Sequence, residues 1–169
     1  MLTEACNKMV TCIRNGNKIL VFGVGGNAAT AIHMVAELAG KYEEFEVPYA
    51  AVCLSDNPSI LTAITNDFGW DQVFSRQIQG LGKPGDVVIG FSISGGGAYL
   101  ENAFRAAKSR NCWTVLINGV DSPPCLKLCD EIVAVGSKST PYVQEEQLRL
   151  VHYICHRVKK ELAQDLVKV

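Results

Sequence analysis

The sequence predicts an α/β fold, a three-layer α/β/α sandwich in which helices cover both faces of a five-stranded parallel sheet. Short apolar segments alternate with segments of helical periodicity along the whole chain, as in successive βαβ units. The apolar segments are continuous and do not alternate with polar residues, which is typical of strands buried on both faces. Ligands of such sheets bind at the carboxyl ends of the strands.

Periodicity and turn residues place the elements in order. The first helix has apolar residues at helical spacing from Leu2 to Ile13 and ends at residues 15–16, Asn-Gly. The predicted strands are 18–22, 50–54, 86–91, 113–118 and 131–135. The helices between them are predicted at 27–39, as further helical segments over 60–81, and at 98–109. The last helix is predicted at about 142–166, with an apolar stripe of Val151, Ile154, Cys155, Val158 and Leu162.

Composition indicates one domain, spanning residues 1–169, with a sizeable core. A net charge of -1 argues against a nucleic-acid partner, because nucleic-acid binding needs clustered basic residues. Neither a signal peptide nor an apolar span of 18 residues is evident, so we expect a cytoplasmic protein without a membrane partner. Seven cysteines, an odd number, indicate free thiols in a reducing compartment. The closest pair, Cys125 and Cys129, is expected on the apolar side of a short helix.

The strand at 86–91 leads into a loop with the composition of a phosphate site. Ser92, Ser94 and three glycines, Gly95, Gly96 and Gly97, precede a predicted helix. Backbone amides at a helix N-terminus lack intrahelical acceptors and lie at the positive end of the helix dipole, so they bind anions. A tight turn without a ligand is the alternative, but it seldom needs three glycines and two serines together. We therefore predict that these hydroxyls and amides bind a phosphate.

A second glycine turn follows the first strand. Its sequence from Gly23 to Ala28 formally matches G-x-G-x-x-A, the fingerprint of a dinucleotide site. Such a site also needs an acidic residue about 20 positions on, at the end of the second strand. Asp56 comes too late for that role, so a phosphorylated small molecule bound by the other loop fits better than NAD.

Two histidines are candidates for chemistry. His33 and Glu37 lie four residues apart, hence on one helix face, where they could bind a metal or exchange a proton. A solvated ion pair is the alternative for this spacing. His152 lies next to the apolar stripe of the last helix, so it could be a core residue or a functional one.

Several segments together resemble one family. They are residues 23–26, 33–42, 65–70, 74–76, 92–95 and 143–152. The chain is similar over nearly its whole length to the phosphoheptose (sedoheptulose-7-phosphate) isomerases, a branch of the sugar isomerase (SIS) domain superfamily. The His-x-x-x-Glu-Leu-x-Gly stretch from His33 and the Asn-Asp-Phe-Gly stretch from Asn66 are specific to this branch. The resemblance implies a single SIS domain with a flavodoxin-like fold.

The resemblance also implies a set of site residues. A divalent metal, usually zinc, would be held by His33, Glu37, Gln144 and His152. Gln144 and His152 are separated by about 12 Å along a regular helix, so we expect Gln144 at a frayed helix start, reaching forward. Glu37 and His152 would form the acid-base pair. The substrate and its phosphate would contact Gly25, Gly26, Asn27, Asn66, Asp67, Ser92, Ser94, Gly95, Gly97 and Gln144.

The resemblance implies the isomerisation of a phosphorylated seven-carbon sugar through an enediol. It also implies a homo-oligomer, a tetramer with active sites at subunit boundaries. Three features differ from the family pattern: Ile93, Gly96 and Gly97 replace polar residues of the phosphate loop, the first turn lacks a serine, and Pro141 replaces an acidic residue. The chain also begins at the second family helix. Non-catalytic SIS adaptors that bind the bacterial replication initiator, and sugar-phosphate-binding proteins, are the alternatives. The four retained metal ligands favour the enzyme.

Overall fold

The computed structural model describes residues 2–45 and 47–166. Its strands are β1 (Ile19–Phe22), β2 (Ala51–Cys53), β3 (Val87–Phe91), β4 (Trp113–Asn118) and β5 (Glu131–Ala134). Its α-helices are α1 (Leu2–Arg14), α2 (Gly26–Ala39), α3 (Pro58–Phe68), α4 (Val73–Leu81), α5 (Ala98–Ser109) and α6 (Thr140–Leu166). Two short 3₁₀ helices lie at Trp70–Gln72 and Leu126–Leu128.

The five strands form one parallel sheet in the order β2-β1-β3-β4-β5. This is the strand order of flavodoxin-like folds, with a switch point between β1 and β3. The predicted fold class is therefore confirmed. The predicted strand ends are one residue too long at several positions. The flanking residues each add a single ladder-like hydrogen bond, as in Ile19 N to Ala50 O at 2.9 Å and Leu54 N to Val21 O at 2.8 Å.

Alternate residues of the strands enter two hydrophobic clusters, one on each face of the sheet. Ile19 and Val21 face the cluster built by α1, α2 and α6. Leu20 and Phe22 face the cluster built by α4 and α5. The continuous apolar strands are thus buried on both sides, as their composition predicts.

The helical region predicted at 60–81 consists of two helices with different environments. Gly69, at φ 86°, ends α3 and starts the 3₁₀ turn that leads into α4. α4 buries Val73, Phe74 and Ile78, whereas α3 has no buried residue. Large apolar side chains near this surface, including Phe68 and Trp70, are exposed.

The last helix begins at Thr140, two residues before its predicted start, and the cysteine pair lies at the ends of a short helix and not on its apolar side. All seven cysteines are free thiols. Cys125 and Cys129 flank the short Leu126–Leu128 helix, with Cys125 fully buried. The predicted apolar stripe of α6 is buried. No helix among residues 2–45 and 47–166 has the length and apolar character needed to cross a membrane.

Candidate active site

Three side chains with metal-binding groups converge where α2 packs against α6. His33 and Glu37 lie one turn apart on α2, and His33 Nε2 is 3.3 Å from Glu37 Oε1. His152 approaches from α6, with its Nε2 atom 3.0 Å from His33 Nε2. One ligand atom from each residue lies within 4.8 Å of the other two. Two helices that are far apart in sequence thus bring two imidazoles and a carboxylate to one point.

His152 is not a core histidine. Its imidazole lies on the exposed side of α6, beside the rings of His33 and Tyr42. The Tyr42 hydroxyl donates to the backbone carbonyl of His152 at 3.3 Å. Tyr42 comes from the segment after α2, so this contact ties the end of α2 to the helix that carries His152.

Gln144 belongs to the same region of the molecule. It lines a cleft of about 420 Å³ together with His33, Thr30 and Leu148. Its side-chain amide lies against Gly26, where an added Cβ would be 2.3 Å from Gln144 Nε2. The α6 helix begins at Thr140, so Gln144 is in a regular part of the helix and the expected frayed start is wrong. Its side chain reaches the α2 side of the cleft from an ordered turn.

The loop between β3 and α5 has a buried and an exposed hydroxyl. Ser92 is 3% exposed, and its Oγ accepts from the Gly95 amide at 3.0 Å. Ser92 is also hydrogen-bonded to the phenol of Tyr99; burial raises the pKa of that phenol, and the hydrogen bond opposes the rise. Ser94 is exposed and accepts a long bond of 3.4 Å from the Gly96 amide. Ser92 therefore shapes the loop, and Ser94 is the hydroxyl that faces solvent.

Neighbouring side chains explain why this loop contains glycine. An added Cβ at Gly95 would be 2.2 Å from Pro123 Cβ, and one at Gly97 would be 2.8 Å from Tyr99 Cε1. Both glycines also have positive φ angles, 67° and 115°, which favour residues without a Cβ. The loop is therefore held in shape by Pro123 on one side and Tyr99 on the other, ahead of the α5 N-terminus.

The first glycine turn is held in a different way. Ser55, after β2, bonds both backbone groups of Gly23: its Oγ accepts from Gly23 N at 3.1 Å and donates to Gly23 O at 2.8 Å. Gly25, at φ 60°, precedes α2. The next residues are Gly26 and Asn27, and the buried Oδ1 of Asn27 has no hydrogen-bond partner among the described residues. An unpartnered buried acceptor is costly, so this atom is a candidate ligand contact.

Asn66 and Asp67 lie apart from the cleft beside His33. Both are exposed at the end of α3, where the Asn66 amide donates to Asp67 Oδ1 at 2.8 Å. Neither residue lines the cleft that contains His33 and Gln144. Their predicted role in substrate binding stays a prediction.

The chemistry of the convergent donors suits a divalent metal. Imidazole nitrogen and carboxylate oxygen are common zinc ligands, and three such ligands leave a position open for substrate oxygens. His33 and His152 have their Nε2 atoms facing each other, an arrangement in which at most one of two neutral rings can donate. A cation between the three donors would take one lone pair from each imidazole and from one carboxylate oxygen.

The SIS domain family matches residues 1–119 of the chain, and the fold is a five-stranded parallel sheet covered by helices on both faces. The chain therefore belongs to the SIS domain family.

Its relatives define the branch. Phosphoheptose isomerase from Bradyrhizobium sp. is 42% identical over 159 residues, covering 94% of this chain and 80% of that protein. The enzyme of the same name from Pelobacter propionicus is 39% identical over 162 residues, covering 96% and 86%. The structure of phosphoheptose isomerase GmhA from Neisseria gonorrhoeae superposes with a TM-score of 0.88 at 36% identity, over 94% of this chain and 85% of that one. The chain is a member of the phosphoheptose isomerase family. The enzymes of this family are isomerases of the intramolecular oxidoreductase class.

Three residues at the site are not predicted by any sequence motif. Tyr42, Tyr99 and Gln147 all contact predicted site residues or their backbone. Tyr42 lies in a resembling segment, but only the fold shows that its hydroxyl reaches His152. Gln147 is a polar residue on an otherwise apolar face of α6, and that exception to the pattern was the available signal.

Proposed function

We propose that the protein interconverts sedoheptulose 7-phosphate and a D-glycero-heptose 7-phosphate of the manno type. The observation that carries this proposal is the convergence of His33, Glu37 and His152 within 4.8 Å of one another. Family membership alone would leave the adaptor alternative open. Two imidazoles and a carboxylate beside a cleft can bind a divalent metal and exchange protons, and an aldose-ketose isomerisation needs both.

The metal ligands in this proposal are His33, Glu37 and His152, with Gln144 completing the set from the adjoining cleft. A divalent cation bound there, zinc being the best chemical match, would polarise the two sugar oxygens that exchange a proton. Gln144 stays in the proposed set because its amide lies at the same α2–α6 cleft as His33, and binding the ion requires its side chain to turn from Gly26 along α6 toward His152.

The proton transfers are assigned to Glu37 and His152. A base removes a proton from C1 of the ketose and returns it to C2, while a second group moves a proton from the C1 oxygen to the C2 oxygen. The product has the same atoms and electrons as the substrate, so no redox partner is needed. Glu37 has two carboxylate oxygens and His152 has two ring nitrogens. Each residue could therefore bind the metal at one atom and carry a proton at the other.

The substrate phosphate is assigned to the loop of Ser92, Ser94, Gly95 and Gly97 at the α5 N-terminus. Support comes from the exposed hydroxyl of Ser94 and from the positive end of the α5 dipole. Gly25, Gly26 and Asn27 are assigned to the sugar because the buried Oδ1 atom of Asn27 has no hydrogen-bond partner among the described residues. Asn66 and Asp67 complete the proposed substrate contacts.

We also propose that the chain is one SIS domain over residues 1–169 and that it works as a homo-oligomer, a tetramer by resemblance, in the cytoplasm. The exposed apolar side chains of Ile60, Phe68 and Trp70 support an oligomer, since clustered exposed apolar groups mark interfaces. Seven free thiols support a reducing compartment.

The test is turnover of sedoheptulose 7-phosphate by the wild-type protein and by two histidine variants. His152→Gln removes the proposed acid-base group and should lower kcat by about 100-fold or more. His156→Gln is the matched control: His156 lies one turn further along α6 and contacts Glu43 at 3.1 Å, outside the cluster. It should keep the wild-type rate. Wild-type protein that folds and binds the sugar without isomerising it would contradict the proposal and favour an adaptor.

A further inference from the structure

Gln147 is a fully buried polar residue on α6. It lies three residues after Gln144 and five residues before His152, so it shares a helix with two of the proposed site residues. The neighbouring inward positions of the helix, Val143 and Val151, are apolar. A glutamine between two valines on the core face of a helix calls for a specific reason, since a buried amide is costly unless it is hydrogen-bonded.

The contacts of Gln147 give that reason. Its Nε2 atom donates to the backbone carbonyls of Ser92 at 2.8 Å and of Ile117 at 3.0 Å. Ser92 is the first residue of the proposed phosphate loop, and Ile117 is near the end of β4. The Ser92 amide itself donates to Ile117 O at 3.1 Å. One side chain therefore joins α6 to both strands at the point where the loop leaves the sheet.

The amide of Gln147 suits these partners. Its two N–H groups satisfy two carbonyls at once, whereas its Oε1 atom has no partner among the described residues. An apolar side chain would leave both carbonyls without this donor, and a carboxylate would place negative charge against them. The site uses the donor end of Gln147 and leaves the acceptor end unsatisfied, which indicates that the donor end is what the fold requires.

We propose that Gln147 is a positioning residue that holds the phosphate loop in register with α6, and so with His152. A sugar phosphate that is bound at its phosphate by the loop and at its carbonyl end near His152 has to span a fixed distance. Small misplacements of reacting groups cost large factors in rate. The inference rests on the proposed function for this two-ended binding mode, and Gln147 itself touches neither substrate nor metal in it.

The first test compares Gln147→Met with Val151→Ala. Val151 is fully buried one turn further along α6, so Val151→Ala destabilises the same helix without removing a donor to the loop. Both variants should lower the melting temperature. Gln147→Met should raise KM for sedoheptulose 7-phosphate by about tenfold or more, whereas Val151→Ala should leave KM within about twofold. Equal KM values for the two variants at similar melting temperatures would overturn the proposal.

A second variant gives a readout that a merely structural role would not produce. In Gln147→Glu, burial raises the pKa of the new carboxyl group, and its protonated form can donate one hydrogen bond. The ratio of the variant KM to the wild-type KM should therefore fall as the pH is lowered. A ratio that is independent of pH would contradict the positioning role.

Wild-type protein supplies a third measurement if neither variant folds. The side-chain amide resonance of Gln147 should shift when sedoheptulose 7-phosphate binds, because its acceptor is the first residue of the loop; an unchanged resonance at saturation would overturn the proposal. If the wild-type protein binds the sugar phosphate but does not isomerise it, the proposed function fails. Calorimetric dissociation constants then replace KM in the same comparison of variants and still decide the role of Gln147.

Discussion

The two glycine turns at the carboxyl end of the sheet have similar sequences, but different side chains pack against their glycines. After β1, the missing side chain of Gly26 leaves space for the amide of Gln144, a proposed site residue. After β3, the missing side chains of Gly95 and Gly97 leave space for Pro123 and Tyr99, which support the loop. The first turn thus positions a side chain of the proposed site, whereas the second holds a loop backbone in a shape that suits an anion.

The helices that follow the turns show the same division. α2 carries His33 and Glu37 into the cluster with His152. α5 contributes its N-terminus, and Gly97 precedes it without a side-chain cap, which leaves the first amides available to a ligand. One strand-turn-helix pattern can therefore present either a reactive group or a binding surface, depending on what packs against its glycines.

The largest expected effect is in the region of the first glycine turn and α2. Glu37→Gln keeps the size of the side chain and removes the proposed proton carrier, so kcat should fall by about 100-fold or more while the melting temperature changes little. Glu43→Gln is the control, because Glu43 is exposed and contacts only His156 among the contacts described for it. Steady-state kinetics of both variants check this. A Glu37→Gln enzyme with the wild-type rate would remove the chemical role from the α2 region.

A smaller effect is expected in the loop between β3 and α5. Ser94→Ala removes one hydrogen bond to a charged phosphate, about 1.5–3 kcal/mol, so the sugar phosphate should bind about 10- to 100-fold more weakly. Binding of the unphosphorylated sugar should not change. Calorimetry with both sugars in wild-type and variant protein measures the difference. An unchanged preference for the phosphorylated sugar would mean that the anion is bound elsewhere.

The smallest effects separate the two turns directly. Gly26→Ala should displace the Gln144 side chain and lower kcat by about tenfold, with no loss of stability, since alanine favours a helix at this position. Gly97→Ala should instead destabilise the fold by about 1–3 kcal/mol, because φ is 115° and Tyr99 is in contact. Denaturant unfolding and kinetics on both variants check the contrast. The same profile for both variants would show that the turns do not differ in this way.

The order of elements could be predicted from the sequence because local patterns determine it. Continuous apolar segments predict all five strands, two of them followed by glycine turns, and the predicted bounds of α5 and β4 are the observed ones. Helical segments were predicted over residues 60–81, but the position of the break between them was not; it lies at Gly69, which ends α3 at a φ of 86°.

The site could be predicted only in part, for a similar reason. The i, i+4 spacing of His33 and Glu37 indicated a shared face, but the 3.0 Å approach of His152 depends on how α2 packs against α6. The loop sequence indicated a phosphate site, yet the role of Tyr99 as its support follows from a contact across the loop. Long-range packing of this kind has no signature in local spacing.

The central claim is that the cluster of His33, Glu37 and His152 holds a metal on which isomerisation depends. Elemental analysis combined with turnover of sedoheptulose 7-phosphate, before and after chelation, tests it most directly. We expect about one divalent metal per subunit, loss of activity when the metal is removed, and recovery when zinc or another divalent metal is added back. Full activity in metal-free protein would contradict the account.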